Sequence, residues 1–344
     1  MAPAFDIDPE KRATQGAFMK RQLFHKPSLV TRKEVDLAGH TAVITGSNSG
    51  LGFECAKQLL DLGLSKLILA VRSEAKGEAA KKTLLATRTS KKISVEVWKL
   101  DLSYYESITT FAERTKTLER LNIFINNAGV SKKNFENNKY SGHEESVQIN
   151  FLSMALLTIL MLPILKEKNS PQHPGRLVIV SSDTASWTTF KEREPFPILA
   201  NLDKPELFDI QDRYATSKLL GQLWISELVK RIPPSVAVIN APNPGLCKSS
   251  LVNEFSGTFT GFLLKILELI FARDAHIGAR ALTDAAVKHG EESHGQYLED
   301  GKVQAMAPIV YRPEGEKLDK QLYQETLDEL AFAQVGDIIS SLRG

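Results

Sequence analysis

The chain has 344 residues, enough for one large domain or two, and its 42% hydrophobic content is ordinary for a globular protein. A formal net charge of +2, with no basic block and no basic residues interleaved with aromatic ones, argues against a nucleic-acid-binding surface. The two cysteines, Cys55 and Cys247, are too few for a disulfide framework or a structural zinc site. We therefore predict no metal site and expect a reducing compartment.

The first residues include Asp6 and Asp8, where a secretory signal would need an apolar stretch. No run comes near the roughly 20 apolar residues of a spanning helix. The nearest, GFLLKILELIFA at 261–272, is shorter and contains Lys265 and Glu268. We expect a cytoplasmic protein without a transmembrane span, and peripheral contact with an intracellular membrane stays open.

Residues 1–38 are polar and mixed in charge and are predicted to form an N-terminal extension with one amphipathic piece, AFMKRQLF. From His40 onward, short β-branched runs alternate with segments of helical period, the longest helix being predicted over 142–166. The predicted strands are TAVIT, KLILAV (66–71), ISVEVWKL, LNIFINN (121–127), RLVIVSS (176–182) and SVAVINAP (235–242). This alternation predicts an α/β fold with a doubly wound parallel sheet, a Rossmann fold, in a single domain over 39–344.

The segment TGSNSGLG directly follows the first predicted strand and opens a helix. Glycines let the backbone turn tightly and let a pyrophosphate approach the helix N-terminus, where free N–H groups favour anions. The spacing departs from the G-x-G-x-x-G of most dinucleotide folds, and a simple turn is the alternative. We favour a nucleotide site, whose predicted residues are Gly46, Ser47, Asn48, Ser49, Gly50, Leu51 and Gly52.

The second predicted strand ends in Arg72, where NAD-binding proteins usually carry an acidic residue for the ribose 2′-hydroxyl. A guanidinium at this place suits a 2′-phosphate through paired hydrogen bonds. A solvated arginine at a strand end is the alternative. The sequence therefore favours NADP(H) over NAD(H).

Tyr214 and Lys218 lie four residues apart in the helical segment RYATSKLL, so they share one helix face. An ammonium beside a phenol favours the phenolate and would lower the pKa of the tyrosine. Y-x-x-x-K also occurs by chance in many helices, so this pair alone does not establish catalysis.

Four landmarks in order resemble the short-chain dehydrogenase/reductase family. They are the turn TGSNSGLG, NNAG (126–129), the serine after the fifth strand, and Y-x-x-x-K. The resemblance runs from about Leu37 to the C-terminus. LILAVRSEAKGE, RYATSKLL and GQYLEDGK look most like retinol dehydrogenases and their fungal relatives, many of which act in secondary metabolism.

The resemblance implies four catalytic residues. Tyr214 would be the general acid in carbonyl reduction or the base in alcohol oxidation, and Lys218 would lower its pKa and hold the nicotinamide ribose. Ser182 would hydrogen-bond the substrate oxygen, with Ser181 as the competing candidate. Asn150 would hold a water that connects Lys218 to solvent; a cap or bend in its helix is the alternative.

The resemblance also implies further cofactor contacts. Asp101 would meet the adenine, with Leu102 packing beside it, and the chain at 127–129 would approach the adenine ribose. The segment NPGLCKS would engage the nicotinamide carboxamide, although Cys247 and Ser249 stand where valine and threonine are usual. These predicted residues are Asp101, Leu102, Asn127, Ala128, Gly129, Pro244, Gly245, Leu246, Cys247 and Ser249.

Two segments are predicted to shape a lipophilic substrate site. The insertion at 183–212 is longer than in much of the family and would cover one wall, where Trp187 and Phe208 either touch substrate or pack the insertion itself. An apolar lid is predicted at about 249–275; a core-covering amphipathic helix or a dimer contact is the alternative. If this segment forms a dimer contact, the protein is a homo-oligomer.

The favoured function is an NADP(H)-dependent oxidoreductase that acts on the carbonyl or hydroxyl group of a lipophilic small molecule. It would be a ketone or aldehyde reductase, with a tailoring step in secondary metabolism as one role. A reductase of conjugated C=C bonds and a non-catalytic nucleotide-binding regulatory protein are the alternatives.

Overall fold

The computed structural model describes residues 5–88, 93–248, 265 and 268–343. Within them, eight strands form one sheet in the order β3-β2-β1-β4-β5-β6-β7-β8. The strands are β1 (Thr41–Thr45), β2 (Lys66–Val71), β3 (Ser94–Lys99), β4 (Ile123–Asn126), β5 (Gly175–Ile179), β6 (Ala237–Asn243), β7 (Gln296–Glu299) and β8 (Lys302–Gln304). Neighbouring strands pair in parallel except β7 and β8. The predicted doubly wound parallel sheet is confirmed.

Helices cover both faces of this sheet. They are α1 (Pro9–Arg12), α2 (Gln15–Phe24), α3 (Gly50–Asp61), α4 (Glu74–Leu85), α5 (Tyr105–Lys116), α6 (Glu145–Val147), α7 (Ser153–Lys168), α8 (Ile198–Leu202), α9 (Arg213–Leu228), α10 (Ala275–Val287), α11 (Pro313–Glu329) and α12 (Val335–Leu342). In β1, Ala42 and Ile44 join the core cluster with α3, α4 and α10, whereas Val43 joins the cluster with α5, α7 and α9. Because both faces are covered, the central strands are continuous apolar runs.

The continuous helical segment from Glu145 to Lys168 is the one described helix long and apolar enough to cross a membrane by length and composition. Its mean hydropathy is 1.9, but 89% of the apolar window is buried inside the protein, as in a core helix. The expectation that 261–272 is the nearest run to a span was wrong. The helix itself was predicted over 142–166, but its apolar character was not recognised because polar residues interrupt the apolar run.

Two strands and the docking of the N-terminal extension were not predicted. β7 and β8 form a short antiparallel hairpin, in which Leu298 pairs with Val303. Residues 5–38 contain α1 and α2, and α2 lies against the loop after β6 through Gln22, which donates to the Leu246 carbonyl at 2.8 Å. The extension is therefore packed onto the catalytic domain.

Much of the insertion at 183–212 packs against the rest of the protein. Phe208 packs edge-to-face on Phe135, with 5.8 Å between ring centroids. The backbone N–H groups of Ile198 and Leu199 donate to the two carboxylate oxygens of Glu325 at 2.8 Å each.

His143 connects this insertion to the C-terminal end of α11. Its Nδ1 lies 2.7 Å from Asp203 Oδ2 and its Nε2 lies 3.2 Å from Glu329 Oε1. Burial alone would lower the pKa of His143, but these two hydrogen-bonded carboxylates outweigh burial and raise the pKa to about 9. A raised histidine pKa stabilises the folded state below the unfolded pKa of 6.5, and this contribution disappears as the pH rises through about 9.

We expect His143→Ala to lower the free energy of unfolding by about 2–3 kcal/mol at mildly acidic pH, and by much less above the folded pKa. Urea unfolding of both proteins across this pH range measures the difference. His173→Ala, which removes an exposed histidine, is the matched control and should leave stability unchanged at either pH. A His143→Ala loss that does not vary with pH would contradict the ion-pair assignment.

Candidate active site

A cavity of about 1090 Å³ lies at the carboxyl ends of the central strands. Its walls include Gly46 after β1, Ala128 after β4 and Ser182 after β5. β1 and β4 are neighbours where the strand order reverses, because β2 and β3 lie on one side of them and β5 and β6 on the other. Open α/β sheets bind their ligands in the crevice at this point.

The glycine turn forms one end of the cavity, to which Gly46, Asn48, Ser49, Gly50 and Leu51 contribute. Gly46 has φ of 65° and Gly50 has φ of 59°, a conformation that other residues adopt only with strain. A Cβ on Gly50 would point into open space, and Ser49 makes no side-chain capping bond to α3. The first turn of α3 therefore offers backbone N–H groups and open space that fit a pyrophosphate.

Two predicted residues of the turn, Ser47 and Gly52, lie behind the cavity wall. The Ser47 hydroxyl donates to the Ile44 carbonyl at 2.8 Å and is fully buried. A Cβ on Gly52 would lie 2.6 Å from Nδ2 of Asn127, which donates to the Thr45 carbonyl at 2.9 Å. Both residues shape the turn from behind.

Arg72 stands at the end of β2 on the cavity edge, exposed, and makes no ion pair with any residue that the structure describes. Ser73 and Lys76 line the cavity beside it. Lys76 was not predicted, although its position four residues after Arg72, in the first turn of α4, was visible in the sequence. The two cations form a positively charged edge that fits a phosphate group.

The other predicted adenosine contacts also meet the cavity: Asp101, Leu102, Asn127, Ala128 and Gly129. The Asp101 carboxylate accepts from the N–H of Ser103 at 3.0 Å and from its hydroxyl at 2.8 Å, so its orientation is set. Thr45 Oγ1 accepts from the backbone N–H groups of Asn127 and Ala128, each at 2.9 Å. This hydroxyl holds the chain after β4 against the glycine turn.

Tyr214 and Lys218 face the same cavity from the first turns of α9, as their spacing predicts. The Lys218 Nζ lies 5.8 Å from the centre of the Tyr214 ring and donates to the Val180 carbonyl at 2.9 Å. The carbonyl of Val180, directly after β5, thus holds the Lys218 ammonium beside Tyr214.

The expected lowering of the Tyr214 pKa by Lys218 is wrong for this structure. Burial raises the pKa of Tyr214 above its usual value, Asp183 and Cys247 raise it further, and contact with the Ser182 hydroxyl lowers it. Burial also lowers the pKa of Lys218 to about 8, because desolvation disfavours its charged form. The physical reason is that desolvation of the phenolate dominates the shift, and Lys218 is not among the groups that lower the pKa of Tyr214.

The structure distinguishes Ser182 from the competing Ser181. Ser182 accepts a hydrogen bond from the Thr184 hydroxyl at 2.9 Å and contacts Tyr214. Ser181 is buried, and its hydroxyl accepts from Nε2 of Gln222 at 3.0 Å. Since Ser181 is committed to Gln222, Ser182 is the serine placed beside the tyrosine.

Asn150 lies in a π-helical turn, Gln148–Leu152, between α6 and α7. Its Oδ1 accepts from the Val130 N–H at 2.8 Å, and its Nδ2 donates to the Val130 carbonyl at 2.8 Å and to the Ser217 hydroxyl at 3.0 Å. The side chain therefore joins the loop after β4 to α9, which carries Tyr214. Its predicted water-holding role stays a prediction.

The loop after β6 supplies Pro244, Gly245, Leu246 and Cys247 to the cavity wall. Cys247 is buried, donates to the Pro244 carbonyl at 3.4 Å, and has a pKa raised by burial to about 12, which suits a packing role. Ser249 lies outside the described residues, as does most of the predicted lid at 249–275.

Asp183 is an acidic residue of the cavity wall that the sequence analysis missed. Burial raises its pKa to about 6, although nearby Arg21 and Arg12 lower it. Its Oδ2 is buried without a hydrogen-bond partner in the structure. In the described part of the chain, no group of three or more His, Cys, Asp or Glu residues could hold a metal ion.

The fold and the site define a nicotinamide-dependent oxidoreductase of the Rossmann type. Residues 40–191 match the family model for short chain dehydrogenases. The chain is 46% identical to the short-chain dehydrogenase fogG of Aspergillus ruber, over 99% of both chains. It is 42% identical to the short chain dehydrogenase/reductase mfmJ of Annulohypoxylon moriforme, over 95% of this chain and 94% of that protein. The chain therefore belongs to the short-chain dehydrogenase/reductase family and is an oxidoreductase.

Solved structures share the fold at lower identity. One, described as an RhlG/NADP active-site complex from Pseudomonas aeruginosa, matches with a TM-score of 0.58 and 22% identity, covering 77% of this chain and 96% of that chain. Further structures of this fold are described with NADP or NADPH bound.

Proposed function

We propose that the protein is an NADP(H)-dependent reductase of ketones or aldehydes on a lipophilic small molecule, with a tailoring step in secondary metabolism as its setting. The observation that carries the proposal is that Ser182 and Tyr214 stand together in one cavity with the glycine turn. Two hydroxyl donors side by side suit a carbonyl oxygen, on which negative charge grows during reduction. A reductase of conjugated C=C bonds has less use for this pair.

The bound nicotinamide would supply the hydride. Ser182 and Tyr214 would hydrogen-bond the substrate oxygen, and Tyr214 would then give up its proton to it. A tyrosine phenol is protonated at neutral pH, so Tyr214 would hold the proton that carbonyl reduction requires. Lys218 would hold the nicotinamide ribose, and Asn150 would carry the water that returns a proton.

The preference for NADP(H) rests on Arg72 and Lys76. Both are exposed at the cavity edge beside Ser73, and no acidic residue stands at the end of β2. Two cations placed there neutralise a 2′-phosphate, whereas an acidic residue would repel it.

We expect purified protein to oxidise NADPH in the presence of a lipophilic ketone, with much lower efficiency for NADH. Arg72→Ala should raise KM for NADPH about 10- to 100-fold, because a charge-assisted hydrogen bond is lost, while the NADH rate changes little. Absorbance loss and product mass measure both effects. Lys82→Ala, which removes an exposed lysine of α4 that does not line the cavity, is the matched control.

If Arg72→Ala lowers the efficiency equally with NADPH and with NADH, Arg72 does not bind the 2′-phosphate. A product that keeps its carbonyl but loses a conjugated double bond would replace the proposed reaction with C=C reduction.

A further inference from the structure

Helix α2 of the N-terminal extension reaches the active-site cavity. Phe18, in the middle of α2, lines the same cavity as Tyr214 and Trp187. Its ring meets Trp187 edge-to-face, with 5.0 Å between centroids and an interplanar angle of 78°. One ring comes from the extension and the other from the insertion, and together they form an aromatic wall.

Several hydrogen bonds hold α2 in this position. Gln22 is buried; its Nε2 donates to the carbonyls of Leu246 at 2.8 Å and Phe271 at 2.7 Å, and its Oε1 accepts from the Leu246 N–H at 3.1 Å. The Trp187 indole N–H donates to the Ala13 carbonyl at 2.7 Å. The extension around Phe18 is thus tied to the loop after β6 on one side and to Trp187 on the other.

Buried charges strengthen the same docking. Glu299, at the end of β7, forms ion pairs with Arg12 and with Arg21, the latter at 3.0 Å. Its other oxygen accepts from Nδ2 of Asn243 at 2.8 Å. Removing the extension would leave this carboxylate buried without its cations, so α2 is an integral part of the folded domain.

We propose that Phe18 is a specificity-determining residue, which with Trp187 binds the planar, aromatic part of the substrate. This inference rests on the proposed carbonyl reduction. An aromatic ring buries a large apolar area and favours edge-to-face or offset contact with another ring. A saturated substrate of similar polarity gains less from this wall, so the wall selects for planar aromatic ketones.

The test compares the bicyclic aryl ketone α-tetralone with cyclohexanone in wild-type enzyme with NADPH. Phe18→Ala should lower kcat/KM for α-tetralone about 10- to 100-fold, mostly through KM, and change cyclohexanone reduction by about twofold or less. Phe18→Leu should recover part of the loss. Phe24→Ala, in the same helix but 77% exposed, is the control and should behave as wild type.

A second measurement needs no turnover and separates this proposal from the reaction itself. Calorimetric titration of the NADP-saturated protein with 1-naphthol should give tight binding that Phe18→Ala weakens and Phe24→Ala does not. Equal loss for both ketones, unchanged kcat/KM in Phe18→Ala, or no difference in 1-naphthol affinity between wild type and Phe18→Ala would overturn the assignment. If the enzyme reduces neither ketone but 1-naphthol binding still depends on Phe18, the proposed function alone is overturned.

Discussion

Replacing Tyr214 with phenylalanine is expected to lower kcat for ketone reduction by about 10²–10⁴-fold, the usual contribution of a positioned general acid. The change removes one hydroxyl and keeps the ring, so the packing of α9 and the affinity for NADPH should stay close to wild type. Stopped-flow or steady-state NADPH oxidation measures the rate, and NADPH fluorescence titration measures the binding.

The matched control is Tyr140→Phe, because Tyr140 is 58% exposed and away from the cavity. A Tyr214→Phe enzyme that retains the wild-type rate would show that another group supplies the proton. Loss of NADPH binding together with rate would show that the hydroxyl holds the cofactor rather than the substrate oxygen.

Removing the guanidinium of Arg213 is expected to have the largest effect on stability. Its side chain is 1% exposed; Nη2 lies 2.9 Å from Glu192 Oε1, and Nε lies 3.8 Å from Glu144 Oε2. Burial raises the pKa of both carboxyl groups, while Arg213 lowers it. Arg213→Ala would leave two buried carboxylates without a cation and should lower the free energy of unfolding by about 3–5 kcal/mol.

Urea unfolding checks this value, and the loss should shrink at acidic pH, where the two carboxyl groups become protonated without a cation nearby. Arg193→Ala, in the insertion at 183–212, is the control. Arg193 pairs with Glu314 at 2.9 Å, but both side chains are exposed, so its loss should cost about 1 kcal/mol or less. Equal effects of the two substitutions would mean that the buried pair contributes no more than a surface pair.

The features of the fold and the site that depend on the local sequence pattern could be predicted from the sequence. Alternating apolar runs and helical segments predicted the parallel sheet, because both faces of a central strand must be buried. The four-residue spacing of Tyr214 and Lys218 placed both on one face of α9, because helix geometry depends on the local chain alone. The glycine turn was predictable for the same reason, since positive φ at Gly46 and Gly50 is a property of the backbone.

The sequence by itself determined the family, the parallel part of the sheet and most of the residues that meet at the cavity. Only the tertiary structure decided that Phe18 and Trp187 form one wall and that the Ser181 hydroxyl accepts a hydrogen bond from Gln222. It also decided that burial raises the pKa of Tyr214, which Lys218 was expected to lower. These features depend on contacts between segments far apart in the chain and on exclusion of water, neither of which has a local sequence pattern. Desolvation in particular depends on everything packed around a group, so a neighbouring lysine in the sequence was not enough to predict its sign.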